Sequence, residues 1–268
     1  FYIKDGDTIW NPGWKPVKTP LDSYECRHGM GYSRFTSSKN GLKAEMLAFV
    51  PMNDNCEVTR LILTNKSDKP KTFSVFSYVE FCLWNADDDS RNFQRNLSTG
   101  EVEIDGSTIY HKTEYRERRN HYAIYSVNHP IDGFDTIRDE FLGAYRGAHE
   151  PEVVELGHSK NSVASGWSPI ASQQINLTLE PGESESLIYV LGYIENPQDE
   201  KWEAPNVVNK ARAKRMLARY ATDELFNEAF SDLNEYWSNL LSKYEVKSAN
   251  PEVNRMVNIW NQYQCMVT

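Results

Sequence analysis

A concentrated set of hydrogen-bonding side chains lies in the stretch EFCLWNADDDSRNFQRNLS, from Glu80 to Ser98. The stretch begins as an apolar strand pattern and then collects Asp, Arg, Asn and Gln residues around a Trp and a Phe. Sugar sites combine planar hydrogen-bonding groups with aromatic faces, because hydroxyls need donors and acceptors while the ring faces need apolar contact. These residues alone leave two interpretations open, a polyol-binding surface and a solvated polar hairpin loop.

Carboxylates that could be paired for glycoside cleavage are numerous in the same part of the chain. Sequence spacing across loops does not fix the distance between two carboxylates, so their abundance selects none of them. No general acid is therefore predicted within this chain. The candidates considered are Glu80, Asp87 to Asp89, Glu114 and Glu117.

The sequence predicts no metal site. Cys26-Arg27-His28 has no second ligand pair at zinc spacing, and Asp87-Asp88-Asp89 lacks the alternating ligands and the glycine of a calcium loop. A glycine-rich phosphate loop and a G-x-S-x-G nucleophile elbow are also absent from the sequence. The basic run YRERRNH, Tyr115 to His121, is interpreted as a salt-bridged strand, with a domain or substrate contact as the alternative.

Bulk composition indicates a globular protein with a packed core. The 268 residues are 40% hydrophobic and 12% aromatic, and the formal net charge is -9. An acidic surface repels phosphodiester backbones and anionic lipids, so neither nucleic acid nor a membrane is expected as a partner. No apolar run approaches the ~20 residues that span a bilayer. The four cysteines are scattered and are expected to be free thiols in a reducing cytoplasm.

From residue 1 to about residue 196 the pattern is that of short antiparallel strands separated by turns. EVTRLILTNKS alternates Val58, Arg60 and Ile62 against Leu61 and Leu63, and KTFSVFSYVEFCLW alternates in the same way. QQINLTLEPGESESLIYVLGYI reads as two strands joined by a Pro-Gly turn. Many short strands of this kind predict a large β-sandwich. The region from His129 to Ser168 is less regular and predicts long loops with a short helix.

After residue 196 the apolar period changes from two to about 3.6 residues. One helix is expected from Asn206 to Tyr220, and an amphipathic helix from Thr222 to Tyr244, with Thr222 as its N-cap. A third helix is expected to start at Asn250-Pro251, which suit the N-cap and N1 positions. It reaches Thr268 without a capping signal, which predicts a further domain beyond this chain.

Long motifs resemble the bacterial cellobiose phosphorylases, a family of inverting glycoside phosphorylases. The resemblance runs in order along essentially the whole chain, and long runs such as FCLWNA and YHKTEYRERR are highly specific. The other motifs that carry it are WNPGWKPVKTPLDSYECRHGMGYSR, GFDTIRDEFLGAYRG, NSVASGWSPIAS, LGYIENPQDEKWE and NRMVNIWNQYQCMVT.

This resemblance implies a mainly β fold class: a large antiparallel β-sandwich followed by linker α-helices and the first helix of an (α/α) six-hairpin barrel. The implied divisions are an N-terminal sandwich over residues 1–196, expected to be truncated at its start, a helical linker over 197–249 and the start of the catalytic barrel over 250–268, with the rest of the barrel expected outside this chain. The implied activity is the reversible phosphorolysis of cellobiose to α-D-glucose 1-phosphate and D-glucose. Inorganic phosphate is a co-substrate, and no cofactor is expected.

The resemblance also implies site residues and partners. The Arg of the family's F-Q-R-N motif contacts the glucose of the acceptor subsite, and this motif falls on Arg95, with Gln94 beside it. The general acid and phosphate site are expected downstream of Thr268, so no catalytic residue is assigned here and the chain alone is expected to be inactive. A cytoplasmic homodimer is implied, and the rest of the same enzyme is the expected partner. The alternatives are a free-standing carbohydrate-binding or structural module and part of a related glycoside hydrolase.

Overall fold

The computed structural model describes residues 1–81, 100–113, 120–166 and 169–267. These residues form two antiparallel β-sheets that face one another, with helices on the outer surfaces of both sheets. The predicted mainly β sandwich followed by helices is therefore confirmed. In chain order the strands are β1 (Tyr2–Asp5), β2 (Thr8–Trp10), β3 (Ser23–Gly29), β4 (Tyr32–Lys39), β5 (Leu42–Phe49), β6 (Cys56–Asn65), β7 (Lys71–Phe76), β8 (Val79–Glu80), β9 (Gly100–Asp105), β10 (Thr108–Thr113), β11 (His121–Val127), β12 (Gly133–Ile137), β13 (Ser165–Gly166), β14 (Pro169–Leu179), β15 (Ser184–Glu195), β16 (Trp202–Ala204) and β17 (Val207–Val208).

The larger of the two facing sheets, called sheet B, has the strand order β13-β9-β10-β11-β15-β6-β5-β4-β3 in the described residues. The smaller, called sheet A, has the order β12-β14-β7-β1-β2, with β8 paired beside β14. A third, separate hairpin joins β16 to β17. Apolar side chains from the two facing sheets meet in one core, which includes Ile3, Trp10, Leu61, Leu63 and Ile175. Leu61 and Leu63 thus lie on the core face that their alternation predicts.

The Pro-Gly turn joins strands of different sheets. Gly182 has a φ of 82°, and the Glu183 amide donates to the Glu180 carbonyl at 3.0 Å, as in a type II turn with Pro at its second position. β14 before the turn belongs to sheet A and β15 after it belongs to sheet B. The two strands and their turn are confirmed, and the turn is a crossing between the layers of the sandwich.

The strand predicted from KTFSVFSYVEFCLW is interrupted at Ser77 and Tyr78, between β7 and β8. The Gln173 amide donates to the Ser77 side-chain hydroxyl at 3.0 Å, so a side chain replaces a main-chain acceptor in this part of the ladder. The register with β14 is kept, because Phe76 lies opposite Gln174 and Val79 opposite Ala171. The predicted alternation of faces is therefore maintained across the interruption.

The helices cover both outer sheet faces. The first two pack with Tyr2, Phe76 and Ile170 on the outer face of sheet A. The next two pack on the outer face of sheet B, where Phe226, Leu233 and other apolar side chains form a second core. The helices are α1 (Arg138–Leu142), α2 (Glu152–Leu156), α3 (Ala211–Ala218), α4 (Asp223–Leu241), α5 (Pro251–Arg255), a π-helical segment (Met256–Asn261) and α6 (Gln262–Val267), and a 3-10 turn covers Gln198–Glu200.

Helix starts follow the capping signals. The Thr222 hydroxyl accepts from the Leu225 amide, and the Asn250 side chain accepts from the Glu252 and Val253 amides, so both predicted N-caps are confirmed. The helix predicted from Asn206 starts later, at Ala211, because the preceding residues pair as β16 and β17. Among the described residues, no helix is sufficiently long and apolar to cross a membrane.

Cysteines in the described residues are free, as expected. Cys56 is buried, whereas Cys26 is partly exposed and Cys265 is exposed on α6. Cys82 lies outside the described residues. Cys26 and Cys56 lie in strands β3 and β6, and Cys265 lies in the helical region predicted to start at Asn250.

Candidate functional site

The predicted sugar-binding residues Gln94 and Arg95 lie in the segment 82–99, outside the described residues. The residues that flank this segment, Phe81 and Gly100, are described. Phe81 follows β8 of sheet A, and Gly100 begins β9 of sheet B, so the chain passes here from one sheet to the other. We call this end of the sandwich the loop end.

Two other undescribed segments are flanked by residues of the loop end. Segment 114–119 follows Thr113, which pairs with Gly100, and segment 167–168 follows Gly166, which also pairs with Gly100. Of the basic run from Tyr115 to His121, only Asn120 and His121 lie within the described residues. The described residues that flank these three segments thus lie at one end of the sandwich, and the ends of a β scaffold are a common position for a binding surface.

Glu80 anchors the start of the polar loop. The Tyr78 hydroxyl donates to Glu80 Oε1 at 2.6 Å, and Arg138 Nε donates to the same oxygen at 3.0 Å. Burial raises the pKa of the Tyr78 phenol, and the bond to the Glu80 carboxylate acts in the same direction. The Tyr78 ring also stacks on Phe141 of α1, with centroids 4.9 Å apart. Glu80, one of the candidate carboxylates, is therefore an ion-paired anchor that fixes where the loop leaves sheet A.

His111 lies beneath the loop end, inside the sandwich. Its ring is buried and stacks on Phe81 with centroids 4.9 Å apart and planes 25° apart. Burial lowers the pKa of His111 to about 4; nearby His121 acts in the same direction, and a hydrogen bond with the Glu101 main chain acts in the opposite direction. His111 is therefore neutral at pH 7 and supports the last described residue before the polar loop. Sequence reasoning missed it, although the alternation Ile109, His111 in TIYHKT places it on the core face.

A chain of ion pairs joins the same region to the helical layer. Glu103 on β9 accepts from Lys112 on β10 at 2.8 Å and from Lys210 at 2.6 Å. Lys112 also contacts Glu101 at 3.1 Å, and Lys210 contacts Glu203 at 3.2 Å. Burial acts to raise the pKa of Glu103, but the bonds from both lysines outweigh it and lower that pKa.

This ion network fixes the β16–β17 hairpin and the start of α3 to the outer face of sheet B. The ammonium group of Lys112 also donates to the Asn206 carbonyl in the hairpin turn and lies 5.4 Å from the centre of the Trp202 ring. The two lysines are almost fully buried, and each has carboxylate partners, which is the condition for burying such charges. The network therefore connects the loop end to the helical layer through buried ion pairs.

The residues of the loop end can hold the start of a loop in place. Within the described residues they include no pair of carboxylates assigned to catalysis. Within the described ranges, no group of three or more His, Cys, Asp or Glu side chains is placed to hold a metal ion. The Cys26 sulfur lies 3.3 Å from His28 Nε2, far along sheet B on strand β3. The described residues of the loop end are held in place by these contacts, and the polar side chains predicted to contact sugar belong to segment 82–99, outside the described residues.

Comparison with known proteins shows that the chain belongs to the glycosyl hydrolase 94 family. The model of the family's supersandwich domain matches residues 1–223, and the model of the superfamily's catalytic domain matches residues 236–268. The sandwich and its first covering helices thus correspond to the supersandwich domain. The catalytic-domain match begins within α4 and continues through α5 and α6.

Several curated proteins are similar over nearly the whole chain. An N,N'-diacetylchitobiose phosphorylase of Vibrio proteolyticus is 31% identical over 98% of this chain and 32% of its own length. A solabiose phosphorylase and a 3-O-beta-D-glucopyranosyl-beta-D-glucuronide phosphorylase, both of Paenibacillus borealis, are 27% and 25% identical over 100% of this chain and 33% of their own lengths. The chain therefore spans about a third of the length of these relatives. None of the three is named for cellobiose.

Proposed function

We propose that this chain is the N-terminal portion of an inverting phosphorylase that cleaves cellobiose reversibly to α-D-glucose 1-phosphate and D-glucose. The observation that carries the proposal is the family match over residues 1–223, and three relatives named as phosphorylases support the reaction class. The choice of cellobiose rests on the sequence resemblance, including the runs FCLWNA and YHKTEYRERR.

The reaction needs one acid and one external nucleophile. Phosphate attacks the anomeric carbon from the face opposite the leaving oxygen while a carboxylic acid protonates that oxygen, and a single displacement inverts the configuration. No cofactor and no enzyme nucleophile take part. We expect the acid downstream of Thr268, so the described residues contribute the frame of the loop end and its anchors, Glu80 and His111.

The proposal includes an organisation for the whole protein. Residues 1–196 form the sandwich domain, 197–249 the helical linker and 250–268 the start of a catalytic barrel. The complete enzyme is a cytoplasmic homodimer whose substrates are cellobiose and phosphate, or glucose and glucose 1-phosphate in the reverse direction.

A phosphate-dependence assay on the full-length protein tests the reaction class. We expect cellobiose to yield glucose and α-D-glucose 1-phosphate only when inorganic phosphate is present, with the α configuration read from the anomeric proton signal. Glucose release without phosphate would assign the protein to the hydrolases instead. N,N'-diacetylchitobiose is the matched second substrate, and cleavage of it but not of cellobiose would leave the class intact and make the cellobiose assignment wrong.

The same assay compares the activity of this chain alone with that of the complete enzyme. The 268-residue chain alone is expected to be inactive, because the proposed acid and phosphate site lie outside it. Phosphate-dependent cleavage by this chain alone would contradict that placement. Binding of a glucan by the chain without the remaining protein would favour the alternative of a carbohydrate-binding module.

We expect Arg95→Ala to weaken binding of the glucose unit in the acceptor subsite. A guanidinium offers five donors in a fixed fork and suits vicinal sugar hydroxyls. Loss of charged hydrogen bonds costs ~1.5–3 kcal/mol, which corresponds to about a 10- to 150-fold loss in kcat/KM for cellobiose. Steady-state kinetics of the full-length variant in both directions measures the effect, and glucose should be weakened as an acceptor in the same proportion.

Arg91→Ala is the matched control, since it removes the same side chain four residues earlier in the same polar stretch. We expect near-normal kinetics for this variant. The phosphate KM of Arg95→Ala should change much less than its cellobiose KM, because phosphate binds on the far side of the scissile bond. Normal cellobiose and glucose kinetics in a folded Arg95→Ala protein would make the polar loop scaffolding only.

A further inference from the structure

The linker between α4 and α5 is bound to the helices that follow it by side-chain amides. Asn258 Oδ1 accepts from the Val246 amide, and Asn258 Nδ2 donates to the Val246 carbonyl, both at 2.8 Å. Asn254 makes the same two bonds with Ser248, at 2.8 and 3.0 Å. Each Asn side chain therefore bonds both main-chain groups of one linker residue, as a neighbouring antiparallel strand would.

A third contact shows that the pairing is periodic. Gln262 Nε2 donates to the Tyr244 carbonyl at 3.1 Å. The helix residues are four positions apart and their linker partners are two positions apart, in opposite directions along the chain. Four helical residues rise about 6 Å, and two residues of an extended chain cover about 6.6 Å, so one row of side chains can follow the linker. We call Asn254, Asn258 and Gln262 the amide row.

The π-helical segment Met256–Asn261 lies in the middle of the amide row. An α-helix completes a turn in 3.6 residues, so side chains four positions apart drift around its axis. The i→i+5 hydrogen bonds of a π-helix give a wider turn that takes more residues, which reduces this drift. The irregular turn therefore helps to keep Asn258 and Gln262 in line with the linker. Such segments are rare and often occur at functional sites.

The same helices also contact the helical layer that covers sheet B. The centroid of the Tyr263 ring on α6 lies 5.4 Å from that of Trp237 on α4, and Tyr263 packs against the second core. Trp237 is itself buried in that core. α6 is therefore connected to the sandwich twice, through this aromatic contact and through the linker that follows α4. Two separate contacts restrict rotation of the helix more than either contact alone.

We propose that the amide row positions the catalytic domain against the sandwich, and that Asn258 is its central positioning residue. The match to the catalytic-domain model starts at residue 236, so the amide row lies at the start of that domain. The inference rests on the proposed function, in which Arg95 of the sandwich contacts glucose in the acceptor subsite. A looser connection misplaces Arg95, whereas the phosphate site is expected to belong to the catalytic domain alone.

Hydrogen exchange in the full-length protein tests the contacts themselves. The Val246 and Ser248 amides donate to the amide row, so both should exchange slowly although the linker forms no helix or strand. Asn258→Ala should make the Val246 amide exchange fast. Asn258→Asp keeps an acceptor for that amide but cannot donate to the carbonyl, and should give an intermediate rate. Asn261→Ala removes an exposed side-chain amide from the same helical segment and should leave both rates unchanged.

Steady-state kinetics tests the positioning role, with whichever disaccharide the wild-type enzyme cleaves in the presence of phosphate. We expect Asn258→Ala to lower kcat/KM for this disaccharide about 10- to 100-fold, since a displacement of about 1 Å in a site can have such an effect. The phosphate KM should change much less, because the phosphate site does not involve the sandwich. A loss of folded enzyme alone would lower kcat and leave both KM values unchanged.

A double-mutant cycle with Arg95→Ala gives the deciding measurement. If the amide row acts through Arg95, Asn258→Ala should lower kcat/KM by no more than about twofold in the Arg95→Ala background. Additive effects of the two changes would overturn the proposal. So would fast exchange of the Val246 amide in the wild-type protein, or normal kinetics in an Asn258→Ala protein whose linker exchanges fast. Normal kinetics of Arg95→Ala alone would overturn the proposed acceptor contact and this inference with it, an outcome that the single variant distinguishes from the others.

Discussion

Leu233→Asp is expected to destabilise the full-length protein by about 3–5 kcal/mol. Leu233 is 3% exposed and lies at the middle of α4, in the apolar cluster that joins this helix to sheet B. Its methyl groups lie close against Gly31 in the turn between β3 and β4, so that a Cβ at Gly31 would come within 3.3 Å of Leu233 Cδ1. The variant removes this packing and places a carboxylate among apolar side chains. Thermal and denaturant unfolding followed by circular dichroism measure the loss.

Ser231→Asp is the matched control for this change. It adds the same charge to the same helix two residues away, at an exposed position. Its effect should stay within about 0.5 kcal/mol, as for ordinary surface substitutions. An unchanged melting temperature for Leu233→Asp would show that α4 does not depend on its contact with sheet B.

Lowering the pH from 7 to 4 is expected to remove about 3 kcal/mol of stability through His111 alone. The folded protein holds the pKa of this buried histidine at about 4, against its ordinary value of 6.5. Because the folded pKa is depressed, the unfolded chain binds the proton first as the pH falls. The contribution is complete above about pH 6.5 and is lost progressively down to about pH 4.

The His111→Phe variant isolates this effect, since an aromatic ring remains to stack on Phe81 but no proton can bind. Its unfolding free energy should fall less steeply between pH 7 and pH 4 than that of the wild-type protein. His158→Phe makes the same substitution at an exposed position and is the matched control for the change of side chain. Identical slopes in the His111 variant and the wild-type protein would contradict the burial of a neutral ring beneath the loop end.

Local sequence patterns predicted the parts of the fold that depend on residues close together in the sequence. The alternation around Leu61 and Leu63 follows from the pleat of one strand. The two helix starts at Thr222 and Asn250 follow from side chains that cap their own first turns. Such features depend on residues within a few positions of each other, so the sequence carries them directly.

Features that depend on distant residues were not predictable in this way. The interruption at Ser77 arises from a hydrogen bond to Gln173, 96 residues away. The assignment of β14 and β15 to different sheets depends on which strands each one meets, and the turn between them carries no such information. At the loop end, Glu103 acquires its role from Lys112 and Lys210, which reach it from another strand and from the start of a helix.

For the candidate site, the sequence indicated the polar loop but not the residues that support it. Glu80 is one of several equivalent carboxylates in the sequence, and only the fold shows that Tyr78 and Arg138 both bond one of its oxygens. The alternation in TIYHKT predicts which face of the strand His111 lies on. It does not predict that the histidine ring is buried there. Arg95 and Gln94 stay predictions, since both lie outside the described residues.

The helical cover of sheet B has a consequence for how the protein is made. Domains emerge from the ribosome N-terminal end first, and exposed apolar surface on such intermediates promotes aggregation. The last strand of sheet B in the described residues ends at Glu195. The side chains of Phe226, Leu233 and Trp237, which cover the outer face of this sheet, are synthesised later. During that interval the nascent sandwich presents Phe49, Val58 and their neighbours to other chains and to chaperones. A recombinant piece that ends near residue 196 keeps this transient surface permanently, whereas one that extends past Trp237 covers it with its own helix.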